Sequence, residues 1–534
     1  MPRKENSDNP HSQPWHGDVS AARNSPDSLV TPRLAGKRVD SGAALARLAA
    51  MHAILTRLAA RPYATVLVLG LVLLTSGNWM LPLVDRDEPR FAEASREMRQ
   101  RRDWLIPYFN GQYRLDKPPL IYWCQAACYG MLGESAWAAR LPSAGFGVAT
   151  GLLLALWGRR LGPGPAGFYA ALMWLSCAQV LVHGRLAVAD MAMVFFVAAA
   201  CWTGWEMTRP GTARPWGWGC LFYLSLALGF LAKGPVAWLP LGGVALGRWF
   251  RPAAFRLCWL GLAGGLLASV AVIGLWAVPA LLATHGEYYR VGIGRHVIQR
   301  SFDVLEGHGA SGWLGYGLTV PLYFVTIFVS LFPWALGLPA ALRRWWPGRG
   351  GDALGWYLLV QGALVFGVFS LVRTKLPHYT LPAFPCLALW LALRESAAPE
   401  SMRRLARGLF FMIALTLLLT VGLFSVARSH LIAANLWRQV SPHARPEMQA
   451  AAIGFKEPSL VWELRRRLTG YVEYLPPEQA ADFLARPGPR LLVVPTPEAG
   501  RPLLEVAPGA ICVRATGLDT VQFKQHELTA IIRP

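Results

Sequence analysis

The sequence predicts an all-α polytopic membrane protein with about eleven to thirteen transmembrane helices, followed by a small C-terminal α/β domain. Three observations lead to this prediction. Hydrophobic residues make up 54% of the 534 residues, and the mean hydropathy is +0.33. Apolar runs of about 17–25 residues recur, and each can cross about 30 Å of hydrocarbon. Near the C-terminus the apolar runs become short, which is typical of β-strands.

The first 60 residues are predicted to form a disordered cytosolic tail. Residues 1–50 are polar and rich in Ser, Pro, Asn and Arg, a composition that cannot bury enough apolar surface to fold. Met51 is an alternative start of the chain. The first apolar run is too long for a cleavable signal peptide, and it lacks a small-residue cleavage site.

Residues 61–428 are predicted to form the transmembrane domain. The apolar runs indicate eleven spans, and Pro and Gly at several boundaries leave the count open up to about thirteen. The predicted spans are residues 63–83, 136–157, 165–182, 187–206, 216–232, 235–249, 257–283, 317–342, 353–372, 379–394 and 408–427.

Arginine is concentrated in alternate loops between these spans, whereas the opposite short loops contain few basic residues. By the positive-inside rule the Arg-rich loops are cytosolic. The outer face then carries two long loops, residues 84–134 and 284–316, and the C-terminal domain, residues 429–534. The same pattern accounts for the net charge of +21. It speaks against nucleic-acid binding, because the basic residues form no stripe with interleaved aromatics on a soluble domain.

Local patterns predict the elements of these outer segments. Residues 88–102 form an amphipathic helical stretch, and residues 118–132 are apolar but too short to span. Both are predicted to be interfacial helices that lie at the membrane surface. In the C-terminal domain, residues 491–495 and 511–514 are predicted strands, and residues 477–486 are a predicted helix.

The unusual polar residues of the membrane domain fall on the outer side. They include Asp87, Glu88, Asp116, Lys117, His183, Asp190, Lys233, Arg300, Lys375, His378 and Tyr379. Cations near the membrane surface can bind a lipid phosphate, and a carboxylate can orient or deprotonate an acceptor. For any one of these charges a solvated or snorkelling side chain is the simpler interpretation. Their convergence on one face favours a site.

Several of these residues lie in blocks that resemble a known family. The blocks are D-R-D-E-P-R-F-A-E-A-S-R-E-M at 85–98, D-W-L-I-P at 103–107, D-K-P-P-L at 116–120, G-R-L-A-V-A-D-M at 184–191 and T-K-L-P-H-Y-T-L-P at 374–382. They are similar to blocks of bacterial C-type (GT-C) glycosyltransferases, in the superfamily of 4-amino-4-deoxy-L-arabinose lipid A transferases and protein mannosyltransferases. The resemblance extends from about residue 62 to residue 395.

The resemblance implies the GT-C fold and an inverting transfer of sugar from a polyprenyl (undecaprenyl) phosphate donor. The acceptor would be lipid A or another acceptor at the periplasmic face of the bacterial inner membrane. The implied catalytic residues are Asp87, Glu88 and Asp190. The implied donor-phosphate residues are Lys117, Arg300, Tyr379 and Lys375. Asp116 stands where the family often has Glu, and this difference leaves open whether a divalent metal ion binds there.

Two alternatives remain at this point. The same chemistry with a protein acceptor would make the chain a protein O-mannosyltransferase-like enzyme. A transporter or flippase for a lipid-linked sugar would also need cations on the outer face, but not the acidic residue followed by lysine in the first loop. The sugar is not identified by the sequence, although Asp190 or Asp303 could bind the ammonium group of an aminosugar.

Overall fold

The computed structural model describes residues 57–84, 86–303, 312–395, 399–496, 509–519, 521 and 524–534. It confirms a helical membrane domain followed by an α/β domain. The helices of the membrane domain are α1 (Pro62–Thr75), α2 (Asp87–Arg101), α3 (Leu120–Leu132), α4 (Ala136–Leu161), α5 (Ala166–Ser176), α6 (Ala178–His183), α7 (Asp190–Thr208), α8 (Pro215–Lys233), α9 (Leu239–Phe250), α10 (Trp259–Ala283), α11 (Arg300–Phe302), α12 (Gly312–Thr319), α13 (Leu322–Ser330), α14 (Leu338–Trp345), α15 (Ala353–Leu371), α16 (Phe384–Glu395), α17 (Pro399–Leu418) and α18 (Phe424–Ala427).

Short irregular helices connect several of these elements. Turns of 3-10 helix lie at Pro235–Trp238, Trp334–Gly337, Trp346–Gly348 and Pro377–Ala383, and π-helical segments lie at Tyr289–Gln299 and Leu419–Leu423. A two-stranded hairpin, β1 (Tyr108–Phe109) and β2 (Gln112–Tyr113), follows α2.

Six of the predicted spans are confirmed as helices that are long and apolar enough to cross a membrane. These are α4, α7, α8, α10, α15 and the segment Arg404–Gly422. A bent pair of helical segments, Leu314–Ser330 and Trp334–Gly348, makes a seventh crossing if the pair counts as one span. The protein is therefore a multi-pass membrane protein.

Five of the eleven predicted spans consist of shorter or broken helices. Residues 63–83 contain only the 14-residue α1, and residues 165–182 are divided by Cys177, whose backbone is extended. The other three are residues 235–249, 317–342 and 379–394, and each contains a 3-10 turn near a proline. Proline removes a helical hydrogen bond and clashes with the preceding turn, so apolar length alone did not reveal these breaks.

The helices of the bundle pack closely where small residues face each other. A Cβ placed on Gly158 of α4 would lie 2.2 Å from the Cα of Gly167 in α5, so only glycine permits this contact. The Arg-rich loops lie together at one end of the bundle. Arg160 and Arg209 both pair with Glu206, at 3.7 and 2.9 Å, and Arg251 donates to the carbonyl of Arg349 at 2.9 Å.

The first long loop forms the two predicted helices, but α2 does not present one polar face to solvent. Ten of its 15 residues are buried, including Glu93, Arg96 and Glu97. Helix α2 packs against α3 on one side and against the C-terminal domain on another. The helix is present as predicted, and its position at the membrane surface stays a prediction. Its charged face is covered by residues more than 350 positions further along the chain.

The C-terminal domain has a five-stranded mixed sheet with strand order β4-β3-β5-β7-β6. Its elements are α19 (Ile432–Val440), β3 (Gln449–Ala452), α20 (Pro458–Arg465), β4 (Val472–Tyr474), α21 (Ala480–Ala485), β5 (Arg490–Pro495), β6 (Ile511–Leu518) and β7 (Gln525–Arg533). Strands β4, β3 and β5 are parallel, whereas β7 and β6 are antiparallel. The predicted strands correspond to β5 and β6, and the predicted helix corresponds to α21 and the 3-10 turn before it.

Successive side chains of the central strand β5 point to opposite faces of the sheet, and both faces are buried. Leu491 and Val493 pack with α19 and α20, whereas Leu492 and Val494 pack with α21. Because both faces are covered, the sheet forms its own core. Helix α20, Tyr471 before β4 and Val472 of β4 contact the first long loop through hydrogen bonds from Arg96, Arg101 and Asn110.

Candidate active site

A cavity of about 1490 Å³ opens where the first loop, α7 and the segment before α16 meet. We call it the polar cavity. Its ionisable and hydroxyl side chains are Asp87, Lys117, His183, Asp190, Lys233, His296, Arg300, Ser301, His378 and Tyr379. Five of the predicted site residues, Asp87, Asp190, Lys117, Arg300 and Tyr379, therefore line one cavity although they are widely separated in sequence.

Asp87 and Glu88 begin α2 and have different surroundings. The Asp87 carboxylate is exposed and lines the polar cavity. Glu88 is fully buried and forms a bidentate ion pair with Arg140 of α4, with both N–O distances at 2.8 Å. It also accepts hydrogen bonds from the amides of Val84 and Ala187. Glu88 thus fastens the start of α2 to α4 and to the segment before α7.

Arg140 completes this anchor. Its guanidinium donates to the carbonyl oxygens of Asn78, Leu81 and Pro82 at 2.7–3.0 Å, so it organises the backbone that joins α1 to α2. The expectation that Glu88 is a catalytic residue is not supported by this position. The Glu88 carboxylate is occupied by Arg140 and two amides. Because Glu88 fixes the start of α2, it also holds the adjacent residue, Asp87, in place.

Replacing Glu88 by alanine is expected to destabilise the protein. The substitution leaves Arg140 buried without its carboxylate, and breaking a buried ion pair costs about 3–5 kcal/mol. The midpoint of thermal unfolding in detergent should fall markedly for Glu88→Ala. Glu134→Ala is the matched control, because Glu134 pairs with Arg99 at a partly exposed position and such a pair contributes about 0–1 kcal/mol. Equal midpoints for the two variants would contradict the anchoring role.

Asp116 and Lys117 follow the β1–β2 hairpin. Asp116 pairs with Arg114, with 3.2 Å between Oδ2 and Nη2. Although burial opposes ionisation, the charges of Arg114 and Lys117 lower the pKa of Asp116 to about 2. The half-buried Lys117 ammonium donates to the carbonyl oxygen of Asp116 at 3.1 Å and lines the polar cavity. Burial lowers the pKa of Lys117.

The surroundings of Asp116 do not fit a divalent metal ion. Its carboxylate is paired with Arg114 and flanked by the Lys117 ammonium. Within the described part of the chain, no group of three or more His, Cys, Asp or Glu side chains is placed to hold a metal. We therefore do not assign Asp116 as a metal ligand.

Asp190 begins α7 and is paired across the polar cavity. Its Oδ1 lies 2.5 Å from the ammonium of Lys233, which ends α8, and 3.8 Å from Nε2 of His378. The His378 ring contacts the His183 ring at a tilt of 44°, with 4.9 Å between ring centroids. The sequence places Lys233, His183 and His378 on the outer side but indicates no role for them. The position of Lys233 is a signal that could have identified it, because this lysine ends an apolar helix just before Gly-Pro.

Arg300 and Tyr379 meet on the opposite wall. Arg300 Nη1 lies 3.2 Å from the Tyr379 hydroxyl, although the two residues are 79 positions apart. Lys375 has a different environment. Its ammonium donates to the carbonyls of Phe369 and Ser370 at 3.0 and 2.5 Å, and it thereby caps the C-terminus of α15. The predicted phosphate-binding role of Lys375 is not supported by these contacts.

A second cavity of about 710 Å³ adjoins the first, and we call it the apolar cavity. Its walls come mainly from α10 and the second long loop, and they include Phe230, Ile273, Trp276, Leu281 and Ile293. Lys117, Lys233 and His296 line both cavities. An apolar tail and an anionic head group could therefore be bound side by side, with the cations at the junction.

Comparisons with known proteins agree with this architecture. Residues 63–288 match the family model described as "Dolichyl-phosphate-mannose-protein mannosyltransferase". A relative from Edwardsiella ictaluri named "Undecaprenyl phosphate-alpha-4-amino-4-deoxy-L-arabinose arabinosyl transferase" is 32% identical over 325 residues, which cover 59% of this chain and 56% of the relative. A Pseudomonas fluorescens relative with the same name and the suffix 1 is 32% identical over 334 residues, with 60% and 56% covered.

The solved structures of ArnT from Cupriavidus metallidurans share the fold. The structure bound to undecaprenyl phosphate has a TM-score of 0.69 at 19% identity, and the match covers 88% of this chain and 97% of that chain. The apo structure has a TM-score of 0.67 at 18% identity, with 92% and 98% covered. The chain spans little more than half the length of the curated relatives it matches.

Fold and cavity together define a class, the multi-pass membrane proteins with the GT-C architecture. Within that class, the chain is similar to the matched family model over residues 63–288 and to the aminoarabinose transferase relative from Edwardsiella ictaluri over 59% of its length.

Proposed function

We propose that this protein transfers a sugar, with inversion, from a polyprenyl-phosphate donor to an acceptor at the periplasmic face of the bacterial inner membrane. The favoured donor is undecaprenyl phosphate carrying 4-amino-4-deoxy-L-arabinose, and the favoured acceptor is lipid A. The observation that carries the proposal is that Lys117, Arg300 and Tyr379 line one cavity together with Asp87. The names of the relatives support the choice of sugar and donor.

The donor phosphate is bound by the cations at the junction of the two cavities. Lys117 and Arg300 supply charge-assisted hydrogen bonds, and the Tyr379 hydroxyl orients the Arg300 guanidinium. The polyprenyl tail occupies the apolar cavity, where Trp276 and its neighbours replace lipid contacts. The sugar then extends into the polar cavity towards Asp87 and Asp190.

Transfer breaks the bond between the anomeric carbon and the phosphate oxygen, and the electron pair remains on the phosphate. Negative charge grows there as the bond breaks, and the nearby cations stabilise it. The acceptor oxygen attacks the opposite face of the anomeric carbon, which inverts its configuration. If the acceptor is a hydroxyl, Asp87 takes its proton. If the acceptor is an ionised lipid A phosphate, Asp87 positions that nucleophile or stabilises the cationic sugar.

Release of polyprenyl phosphate by purified protein tests this function. The protein is reconstituted in lipid nanodiscs with an undecaprenyl-phosphate donor whose sugar is radiolabelled. Label is expected to move to lipid A, with undecaprenyl phosphate formed in equal amount. Movement of label to an added Ser/Thr-rich peptide instead would favour the protein-mannosyltransferase-like alternative. Intact donor after incubation with each acceptor would contradict the enzyme and favour a transporter.

The proposed orientation makes a prediction for cysteine labelling in cells. In a variant without native cysteines, a membrane-impermeant thiol reagent should label Gln112→Cys in intact spheroplasts, because this exposed residue lies in the first long loop. Gly164→Cys lies in an Arg-rich loop, where an added side chain meets no other atoms, and should be labelled only after the membrane is opened. Gly111 is unsuitable, because an added Cβ would press against the ring of Tyr471. The reverse pattern would contradict the orientation and the site's location.

A further inference from the structure

A network of buried charges joins α2 to the C-terminal domain. Glu93, Arg96 and Glu97 of α2 and Arg465 of α20 are each no more than 4% exposed. Glu93 pairs with Arg96 at 2.7 Å and with Arg465 at 2.9 Å. Arg96 also donates to the backbone carbonyl of Arg465 at 2.6 Å. Two arginines from different parts of the chain therefore share one carboxylate.

Such a network fixes orientation more than it adds stability. Desolvating charges costs several kcal/mol per ion, and a buried pair often repays little more than that cost. The network excludes a rotation or shift of α2, because any displacement of this helix leaves a buried charge without its partner. The geometry of Glu93 therefore determines how α2 is rotated against α20.

A second set of contacts holds the hairpin that follows α2. Glu97 accepts from the amide of Gly111 at 3.1 Å. The side-chain amide of Asn110 donates to the carbonyl of Val472 at 2.8 Å and accepts from its amide at 2.9 Å. Arg101 donates to the hydroxyl of Tyr471 at 2.8 Å. The C-terminal domain thus contacts both α2 and the hairpin.

In sequence, these two attachments lie between Asp87 and Lys117, the two charged residues of the first loop that enter the polar cavity. Asp87 begins α2 six residues before Glu93, which is about 9 Å along the helix axis. The hairpin leads directly into Arg114, Asp116 and Lys117. Glu88 fixes the first turn of α2 to α4, so loosening the contacts of α2 with α20 would let the helix pivot about this anchor and reorient Asp87 in the cavity without altering the transmembrane helices.

We propose that the C-terminal domain is a positioning element of the active site, and that Arg465 is a positioning residue that acts through Glu93 on Asp87. The inference depends on the function proposed above for Asp87. The inference gives the C-terminal domain a role in turnover, although Arg465 lies outside the polar cavity. The domain fixes the loop that carries Asp87 and Lys117, so the reacting groups are placed before substrate arrives.

Arg465→Met tests the proposal, with hydrogen–deuterium exchange and steady-state kinetics as readouts. The variant keeps an aliphatic chain but removes the charge that reaches Glu93. Exchange in peptides covering residues 87–101 should increase, while peptides from α4 and α7 keep their protection. Turnover per folded molecule should fall by about tenfold or more, because small misplacements of reacting groups cost that much. The donor KM should change by less than about threefold, since Arg300 and Tyr379 are untouched.

Two further variants keep the test decisive. Arg465→Lys retains the charge but not the planar guanidinium, and it should recover part of the lost turnover. Asn110→Gly tolerates the left-handed backbone at this position, where φ is 52°, and removes both hydrogen bonds to Val472. It should also lower turnover, which preserves the test if Arg465→Met does not fold. Arg486→Met is the matched control, because Arg486 pairs with Glu473 at a site where both side chains are exposed.

The outcomes separate this inference from the proposed function. If Arg465→Met and Asn110→Gly lower only the folded yield, and turnover per folded molecule equals that of the wild type, the positioning role is wrong. Unchanged exchange in residues 87–101 would overturn it as well. If the wild-type protein transfers no sugar, the proposed function fails, whereas the exchange measurement still reports whether the domain holds α2.

Discussion

Asp87→Asn is expected to reduce sugar transfer by about 10²-fold or more at saturating donor, which is the scale of a positioned acid–base or electrostatic group. The substitution keeps the shape of the side chain at the start of α2 and removes only its charge. Because Asp87 is exposed to the polar cavity, folding should be unaffected. Initial rates of label transfer to lipid A, normalised to the folded protein in the membrane, measure the effect.

The control for Asp87→Asn is Glu134→Gln. It also removes one carboxylate charge from the first long loop, but at the partly exposed pair with Arg99, and should keep nearly full activity. Asp85 lies outside the described residues, and we expect Asp85→Asn to cost little activity. Similar rates for Asp87→Asn and Glu134→Gln would remove Asp87 from the mechanism.

Lys117→Met is expected to weaken donor binding by about one to two orders of magnitude. A hydrogen bond to a charged group contributes about 1.5–3 kcal/mol, and each 1.4 kcal/mol is tenfold in affinity. Lys117 lines both cavities, so its loss removes positive charge where the phosphate is proposed to bind. The dissociation constant for undecaprenyl phosphate, measured in nanodiscs, should rise while the thermal unfolding midpoint changes little.

The pH dependence of binding gives an independent readout for Lys117. Burial lowers its pKa from the ordinary value of 10.5, so the ammonium loses its proton at a pH below that value. Wild-type affinity should therefore decline as pH rises through the lowered pKa, and Lys117→Met should lack this decline. Lys456→Met is the matched control, because Lys456 is exposed in the C-terminal domain. Full donor affinity for Lys117→Met would contradict the phosphate-binding role.

Sequence predicted the class of fold because apolar length is a local property. Runs such as residues 257–283 and 353–372 became the single helices α10 and α15, and the short apolar run at residues 491–495 became part of the strand β5. The breaks in residues 165–182 and 317–342 were not predicted. They depend on how neighbouring helices satisfy the backbone at Cys177 and Pro333, which an apolar run does not show.

Five of the predicted site residues line the polar cavity, and the surroundings of Glu88, Lys375 and α2 differ from those expected for one shared reason. Asp87 and Glu88 are adjacent, but successive residues of a helix point about 100° apart, and only the structure shows which one meets Arg140. Lys375 stands in a matching block, yet its ammonium caps α15. The charges of α2 suggested a solvated face because Arg465, which pairs with Glu93, lies 372 positions away. Long-range pairing decides whether such charges are catalytic, structural or solvated.

Mass spectrometry of lipid A is the most direct test of the central claim. A Gram-negative host that makes the undecaprenyl aminoarabinose donor, but lacks its own lipid A aminoarabinose transferase, would express the wild-type chain or Asp87→Asn at equal membrane levels. The proposed function predicts aminoarabinose-modified lipid A with the wild-type chain and unmodified lipid A with Asp87→Asn. Unmodified lipid A in cells whose membranes contain folded wild-type protein and accumulated donor would contradict it.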